Sequence, residues 1–162
     1  MLVLDDFGLS ATVPGSWFGR LVAFGAPGGP TVKLLQFASV PLVSDDYSFP
    51  ARDTAATLGS ADSVTTIAEF GVVPPDSTRL APGATLSIGP GDFMRFQGVP
   101  LSQINARRIF ITVGRGFDML ITFGSTSPSW SVIQGVNDVL GSLRIGPSAA
   151  KQANGNGVVV NG

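Results

Sequence analysis

One glutamate stands in the chain, Glu69, near the end of a run that carries Val64, Thr65, Thr66 and Ile67. That β-branched content predicts a strand over 63–70. A carboxyl flanked by Ala68 and Phe70 would rise in pKa if buried in apolar surroundings, and could then exchange protons. The plainer role is an ion pair with an arginine of a neighbouring strand, Arg108 or Arg115. Arg115 lies between Gly114 and Gly116, at the expected tip of a hairpin. A guanidinium there could grip a carboxylate or phosphate bidentately. The run leads into a strand, not a helix N-terminus, so it is no phosphate loop, and a turn arginine is the simpler reading. Gly89-Pro90-Gly91 is no dinucleotide fingerprint either, since Pro90 removes an amide and no helix follows.

Asp5-Asp6 and Asp45-Asp46 are adjacent carboxylates. Paired carboxylates can hydrolyse glycosides or hold a hard cation. In loops, adjacent aspartates mostly cap and solvate turns. The chain has no histidine and no cysteine. Disulfides, iron–sulfur clusters, thiolate and imidazole zinc sites, histidine-ligated haem and Ser-His-Asp chemistry are thereby excluded. No serine sits in a nucleophile elbow. The only lysines, Lys33 and Lys151, are expected in a strand and in a tail. No catalytic residue, metal site or cofactor is expected, and an enzyme built from Asp, Glu and Arg alone is the least favoured function.

Two tryptophans could form a ligand platform. Trp130 opens an amphipathic run and is expected in the core. Trp17 follows Pro14-Gly15-Ser16 and is expected there as well, on weaker grounds. The positions proposed for a binding surface are Trp17, Arg20, Glu69, Arg108 and Arg115. The leading function is a non-catalytic interaction or accessory domain for a protein partner. The alternative is a small-ligand pocket between sheet and helix, with Arg20, Arg95, Arg108 or Arg115 supplying charge.

The elements that would place these residues are short. Gly (21) and Pro (12) punctuate the 162 residues, favouring strands and tight turns. Strands are predicted over 9–13, 20–26, 31–40, 63–70, 93–96, 108–113 and 117–123, with a last short one over 143–145. The turn 26–30 joins the second and third into a hairpin, and Gly114-Arg115-Gly116 joins the most secure pair. Segment 72–90 is irregular, with Pro74-Pro75 and Ala81-Pro82-Gly83. A short helix is predicted over 50–58, entered at Pro50 with Asp53 in its first turn and stopped at Gly59. Trp130, Ile133, Val136, Val139, Leu140 and Leu143 recur at helical spacing after a cap at Ser127 or Ser129, and the helix should end near Gly141-Ser142. Residues 1–146 read as one α+β domain, an antiparallel sheet packed by a C-terminal amphipathic helix and one shorter helix. Residues 147–162 read as a flexible tail, within which Val158–Val160 could dock on a sheet edge.

Pro14-Gly15-Ser16-Trp17, Glu69-Phe70-Gly71, Gly114-Arg115-Gly116-Phe117 and the run Val136-Asn137-Asp138-Val139-Leu140 leading to Ser142-Leu143-Arg144-Ile145 together resemble uncharacterised small domains of actinobacteria with a PsbP/Mog1-like fold. The resemblance spans about residues 7 to 147. It implies an antiparallel sheet packed by helices and an accessory rather than catalytic role; fold likeness alone carries little about function.

Composition sets the remaining bounds. Ten cations against eleven anions give a net charge of −1, and Arg107-Arg108 is the only adjacent basic pair. No clustered positive field draws nucleic acid or an anionic membrane. Charged residues make up only 13% against 44% hydrophobic, and mean hydropathy is +0.34. That balance suits either a secreted or envelope protein or a GC-rich genome. No run reaches 18 apolar residues, so no transmembrane helix is expected. The start Met1-Leu2-Val3-Leu4-Asp5-Asp6 lacks the basic and apolar regions of a signal peptide. The sequence assigns no compartment: the chain as given would suit the cytoplasm, and the cell envelope or secretion would follow if a targeting segment had been removed.

Overall fold

A computed structural model describes residues 1–25, 27–29, 31–70 and 76–147. The expected tail from residue 148 onward lies outside them. So do Pro74-Pro75 and, in part, the turn at 26–30.

The chain does not wait for Leu9 to form its first strand. The acidic start forms β1 (Leu2–Asp6), which pairs antiparallel with β2 (Leu9–Val13), Leu4 opposite Ala11. Phe7 and Gly8 make the two-residue turn at φ 53 and 70, the left-handed pair that matches strand twist. Small alternating side chains bury one face of β2 as Leu9, Ala11 and Val13. At the end of the chain β10 (Arg144–Ile145) adds to the other edge of β2. These three make a small sheet of order β1-β2-β10.

The larger sheet holds seven strands. β3 (Phe18–Phe24) and β4 (Val32–Ala38) form the expected hairpin, and β5 (Ser63–Phe70) pairs with β4. The short β6 (Thr78–Arg79) and β7 (Phe93–Met94) both pair with β8 (Ile104–Thr112), which pairs with β9 (Arg115–Phe123). The order is β3-β4-β5-β9-β8-β6, antiparallel except between β6 and β8. β9 is buried at every residue, as a central strand covered on both faces must be.

On one face Leu35, Phe37, Ile67, Phe117, Met119, Ile121 and Phe123 join the main core with Leu4, Leu9, Ala11 and Val13 of the small sheet. The helix α2 (Trp130–Ser142) completes it with Val132, Ile133, Val136, Val139 and Leu140. Ser129 caps α2, its hydroxyl accepting from the Val132 amide at 3.4 Å. Trp130 does not join this stripe: it is 69% exposed. Its expected core place came from counting steps of three. Each step of three falls about 60° short of a full turn at 3.6 residues per turn, so stepping back from Val136 through Ile133 walks off the buried stripe.

The second face is covered by chain rather than by regular structure. Residues 39–62 cross it as a strap whose only regular element is α1 (Arg52–Ala55). Val22, Leu34 and Ala68 pack beneath Tyr47 and Phe49. Ala38 and Val64 pack beneath Ala51, Ala55 and Leu58.

Candidate functional site

Arg115 is not at a hairpin tip. Val113 and Gly114 make the β8–β9 turn, at φ 46 and 73, and leave Arg115 as the first residue of β9 opposite Thr112. There it is 5% exposed. Nε and Nη2 donate to the two carboxylate oxygens of Glu69 at 2.9 and 2.7 Å. Nη2 also donates to the Phe7 carbonyl at 3.0 Å, and Nη1 to the carbonyls of Gly8 and Gly146 at 3.3 and 2.8 Å. All five donors of the fork are satisfied. The group ties the main sheet to both the β1–β2 turn and the end of β10. Burial pushes the Glu69 carboxyl up, but the Arg115 hydrogen bonds and charge, with Lys33 at 3.6 Å, more than offset this and hold it below the usual carboxylate range.

Arg20 is likewise enclosed, at 4% exposure. Nε donates to Gln36 Oε1 at 2.6 Å, Nη1 to the Val43 carbonyl at 2.9 Å and Nη2 to the Asp46 carbonyl at 2.6 Å. Gln36 Nε2 reaches the Asp46 carbonyl and Thr66 Oγ1. Asp46 accepts from the Ser48 hydroxyl and the Thr54 amide, and Thr54 Oγ1 accepts from the Val43 amide. This buried polar layer fastens the strap to β3, β4 and β5. Burial pushes Asp46 up, and its hydrogen bonds from Ser48 and Thr54 more than reverse it.

Arg108 pairs with Asp92 at 2.7 Å. Trp17 stacks on Phe37 with ring centroids 6.3 Å apart and lies against α2 at Gly135. Of the five positions proposed from sequence, only Glu69 and Arg115 meet; Trp17, Arg20 and Arg108 stand in three separate places. Among the described residues no three carboxylates gather as a metal site would need, and no helix is long and apolar enough to cross a membrane.

The candidate site lies elsewhere on the second face. Between the strap and the β7–β8 loop opens a half-enclosed cleft of about 580 Å³, a size typical of small-molecule sites. Leu120 and Thr122 of β9, with Arg107 of β8, form its floor. The strap supplies Phe49, Pro50, Arg52, Ala55 and Ala56. The β7–β8 loop supplies Phe96, Val99 and Pro100, with Gln97 and Gln103. One buried hydrogen bond links the walls, from Gln103 Nε2 to the Ala55 carbonyl at 2.8 Å.

Arg107 reaches this face because adjacent strand residues point to opposite sides, so it and Arg108 part company. Its Nε and Nη2 form a fork on the Asp118 carboxylate, Nε at 3.0 Å, and its guanidinium carbon stands 5.7 Å from the Phe96 ring centre. The Asp118 hydrogen bonds raise its pKa against the opposing effect of burial. Sequence reasoning named Arg20, Arg95, Arg108 and Arg115 as sources of charge and passed over Arg107 and Arg52. The signal available was strand parity: Ala106 and Phe110 mark the core face of β8, which sends Arg107 to the other.

No protein-family model, curated protein or solved structure matches the chain.

Proposed function

We propose that the protein binds a small, largely apolar molecule in the cleft between the strap and the β7–β8 loop. The observation that carries this is the cleft itself. Apolar side chains from three chain segments enclose it, and Arg52, Gln97, Gln103, Arg107 and Thr122 supply a few polar groups at its border. That combination is what specific small-ligand sites share. Long stretches with little regular structure, such as 39–62, usually serve function when a compact domain keeps them. The strap is also well fastened, so the cleft walls are formed before a ligand arrives. The site lies between the sheet and α1, not under the C-terminal helix.

The test is a panel of mono- and bicyclic apolar fragments screened by protein-observed NMR, with Ala56→Trp as control. Ala56 lines the cleft but is exposed, so the indole fills the mouth without disturbing the core. Hits should shift Leu120 and Thr122 signals and should weaken at least about tenfold in A56W, the loss of about 1.4 kcal/mol of contact. Hits that shift other regions, or bind A56W as well as the parent, would refute this reading.

A protein partner is the second reading, favoured by Trp130, which stands exposed at the head of α2. An accessory domain of the PsbP/Mog1-like kind is the setting proposed for either role, supported by the mixed sheets and the helix on one face.

A further inference from the structure

We infer that the ligand of the cleft is an apolar carboxylate, an acid whose body lies among Phe49, Phe96 and Leu120 and whose anionic head meets the guanidinium groups of Arg52 and Arg107. This rests on the cleft being a ligand site and adds the charge and class of what it takes.

The charge balance of the lining points that way. The described residues that line the cleft include two cations, Arg52 and Arg107, and no carboxylate; the nearest one in the described contacts, Asp118, is bonded to Arg107. The two cations come from different walls: Arg52 from the first turn of α1, Arg107 from the sheet floor. In a chain with a net charge of −1 and only ten cations, two on one small concave surface make a local excess. Asp118 neutralises part of Arg107, yet its fork uses Nε and Nη2 and leaves the Nη1 donors outside that pair. Among the described residues the guanidinium of Arg52 makes no hydrogen bond or ion pair, while its backbone amide donates to Ser48 Oγ at 3.0 Å. Guanidinium donors left over beside an apolar hollow suit a planar anion better than a cation or a neutral amide. The body must be apolar because most of the enclosure is ring and aliphatic surface. An aromatic side chain on each wall favours a flat or ring-bearing body.

The test compares matched acids and primary amides: benzoate, 2-naphthoate, 4-phenylbutyrate and octanoate, each against its own amide, with 2-naphthylmethylamine as the cation. Affinities are read by NMR titration at low salt on the whole protein. The acids should bind about tenfold tighter than their amides, as one charge-assisted hydrogen-bond pair allows, and the amine should not bind. The preference should shrink at 0.5 M salt, where the screening length falls well below 10 Å. Arg52→Gln, at an exposed position, should reduce the acid preference by about threefold with folding intact. The double variant R107Q/D118N removes the second cation while leaving no unpaired buried carboxylate, and with R52Q it should abolish the preference. If the amides bind the cleft as tightly as the acids and are still displaced by A56W, the site stands and the carboxylate inference falls. If neither series binds there, both fall.

Discussion

Arg115→Met should be the most damaging single change in the molecule. The guanidinium is buried, and its five hydrogen bonds join three parts of the chain that are far apart in sequence: Glu69, the Phe7-Gly8 turn and Gly146. Methionine keeps most of the volume and removes every donor. Glu69 is then left with Lys33 at 3.6 Å as its remaining charged neighbour. Three carbonyls lose a partner. Removing one member of a buried pair costs about 3–5 kcal/mol. Against a total stability of about 5–15 kcal/mol, that is a large share. With a urea slope of about 2 kcal/mol per M, the midpoint should fall by about 1.5–2.5 M with little change in slope. Arg115→Lys should recover only a minor part, since one ammonium offers three donors on a point charge where five were used. The double variant R115M/E69L should be more stable than R115M alone, because the uncompensated carboxylate is gone. Hydrogen exchange adds a local check: the Gly146 amide, which donates to the Gly8 carbonyl at 2.8 Å, should lose protection in R115M before the core strands do. A midpoint shift below about 0.5 M, or a double variant no better than the single, would refute the claim that this fork holds the two sheets together.

Two further outcomes follow from named contacts. Gly135→Ala should destabilise by about 1 kcal/mol although it improves helix propensity by about as much, because its Cβ would lie 2.9 Å from Trp17 Cζ2 and overpacking costs about 1–3 kcal/mol. Thermal melting decides it: a G135A protein that melts higher than the parent would show that the indole gives way, and G135A/W17F should recover the loss. Stability should also be lost in acid. Glu69, Asp46 and Asp92 each have a folded pKa below the ordinary carboxylate value, so the stability they contribute is present above the unfolded value near pH 4 and is lost as pH falls through the folded values. With no histidine in the chain, urea midpoints should stay level between about pH 5 and 7 and then fall. Glu69→Gln should flatten part of that fall, and a midpoint that drops between pH 7 and 5 would contradict this assignment.

The local patterns that were legible are those decided by neighbours in sequence. Val64 to Ile67 are β-branched, and β5 runs over Ser63–Phe70 as they require. Ser129 caps α2, and the helix closes at Ser142. What escaped was decided by distant chain. The acidic start forms a strand because β2 and the Phe7-Gly8 turn give it a partner, which the charges of Asp5 and Asp6 do not reveal. β6 pairs in parallel with β8 through only two residues, too few for periodicity to show. The second covered face was hidden by its own chemistry. Arg20 and Gln36 read as solvent positions, yet both are buried, because the strap supplies the Val43 and Asp46 carbonyls to which they donate. A polar residue looks exposed in sequence whenever its partner lies tens of residues away. The cleft inherits that blindness, since its walls come from 49–56 and 96–103 and its floor from β8 and β9.

The arrangement of Arg107 bears on how the cleft would work. Its fork on Asp118 and its place by the Phe96 ring fix the guanidinium before any ligand binds. Ordering a free arginine on binding costs about 0.5–1.5 kcal/mol, and here that cost is already met in folding. The same carboxylate lowers the net charge at the floor, so the attraction for an anion is weaker than a lone guanidinium would give. Asp118 thus exchanges strength for direction: donors held in one plane discriminate by geometry, where a mobile cation would accept any anion. Arg52 is the complement, exposed and free to move, and suited to following ligands of different length. Specificity should therefore reside in Arg107 and tolerance in Arg52. Losing Arg52 should weaken all acids alike, whereas losing the Arg107–Asp118 pair should erase the differences among them.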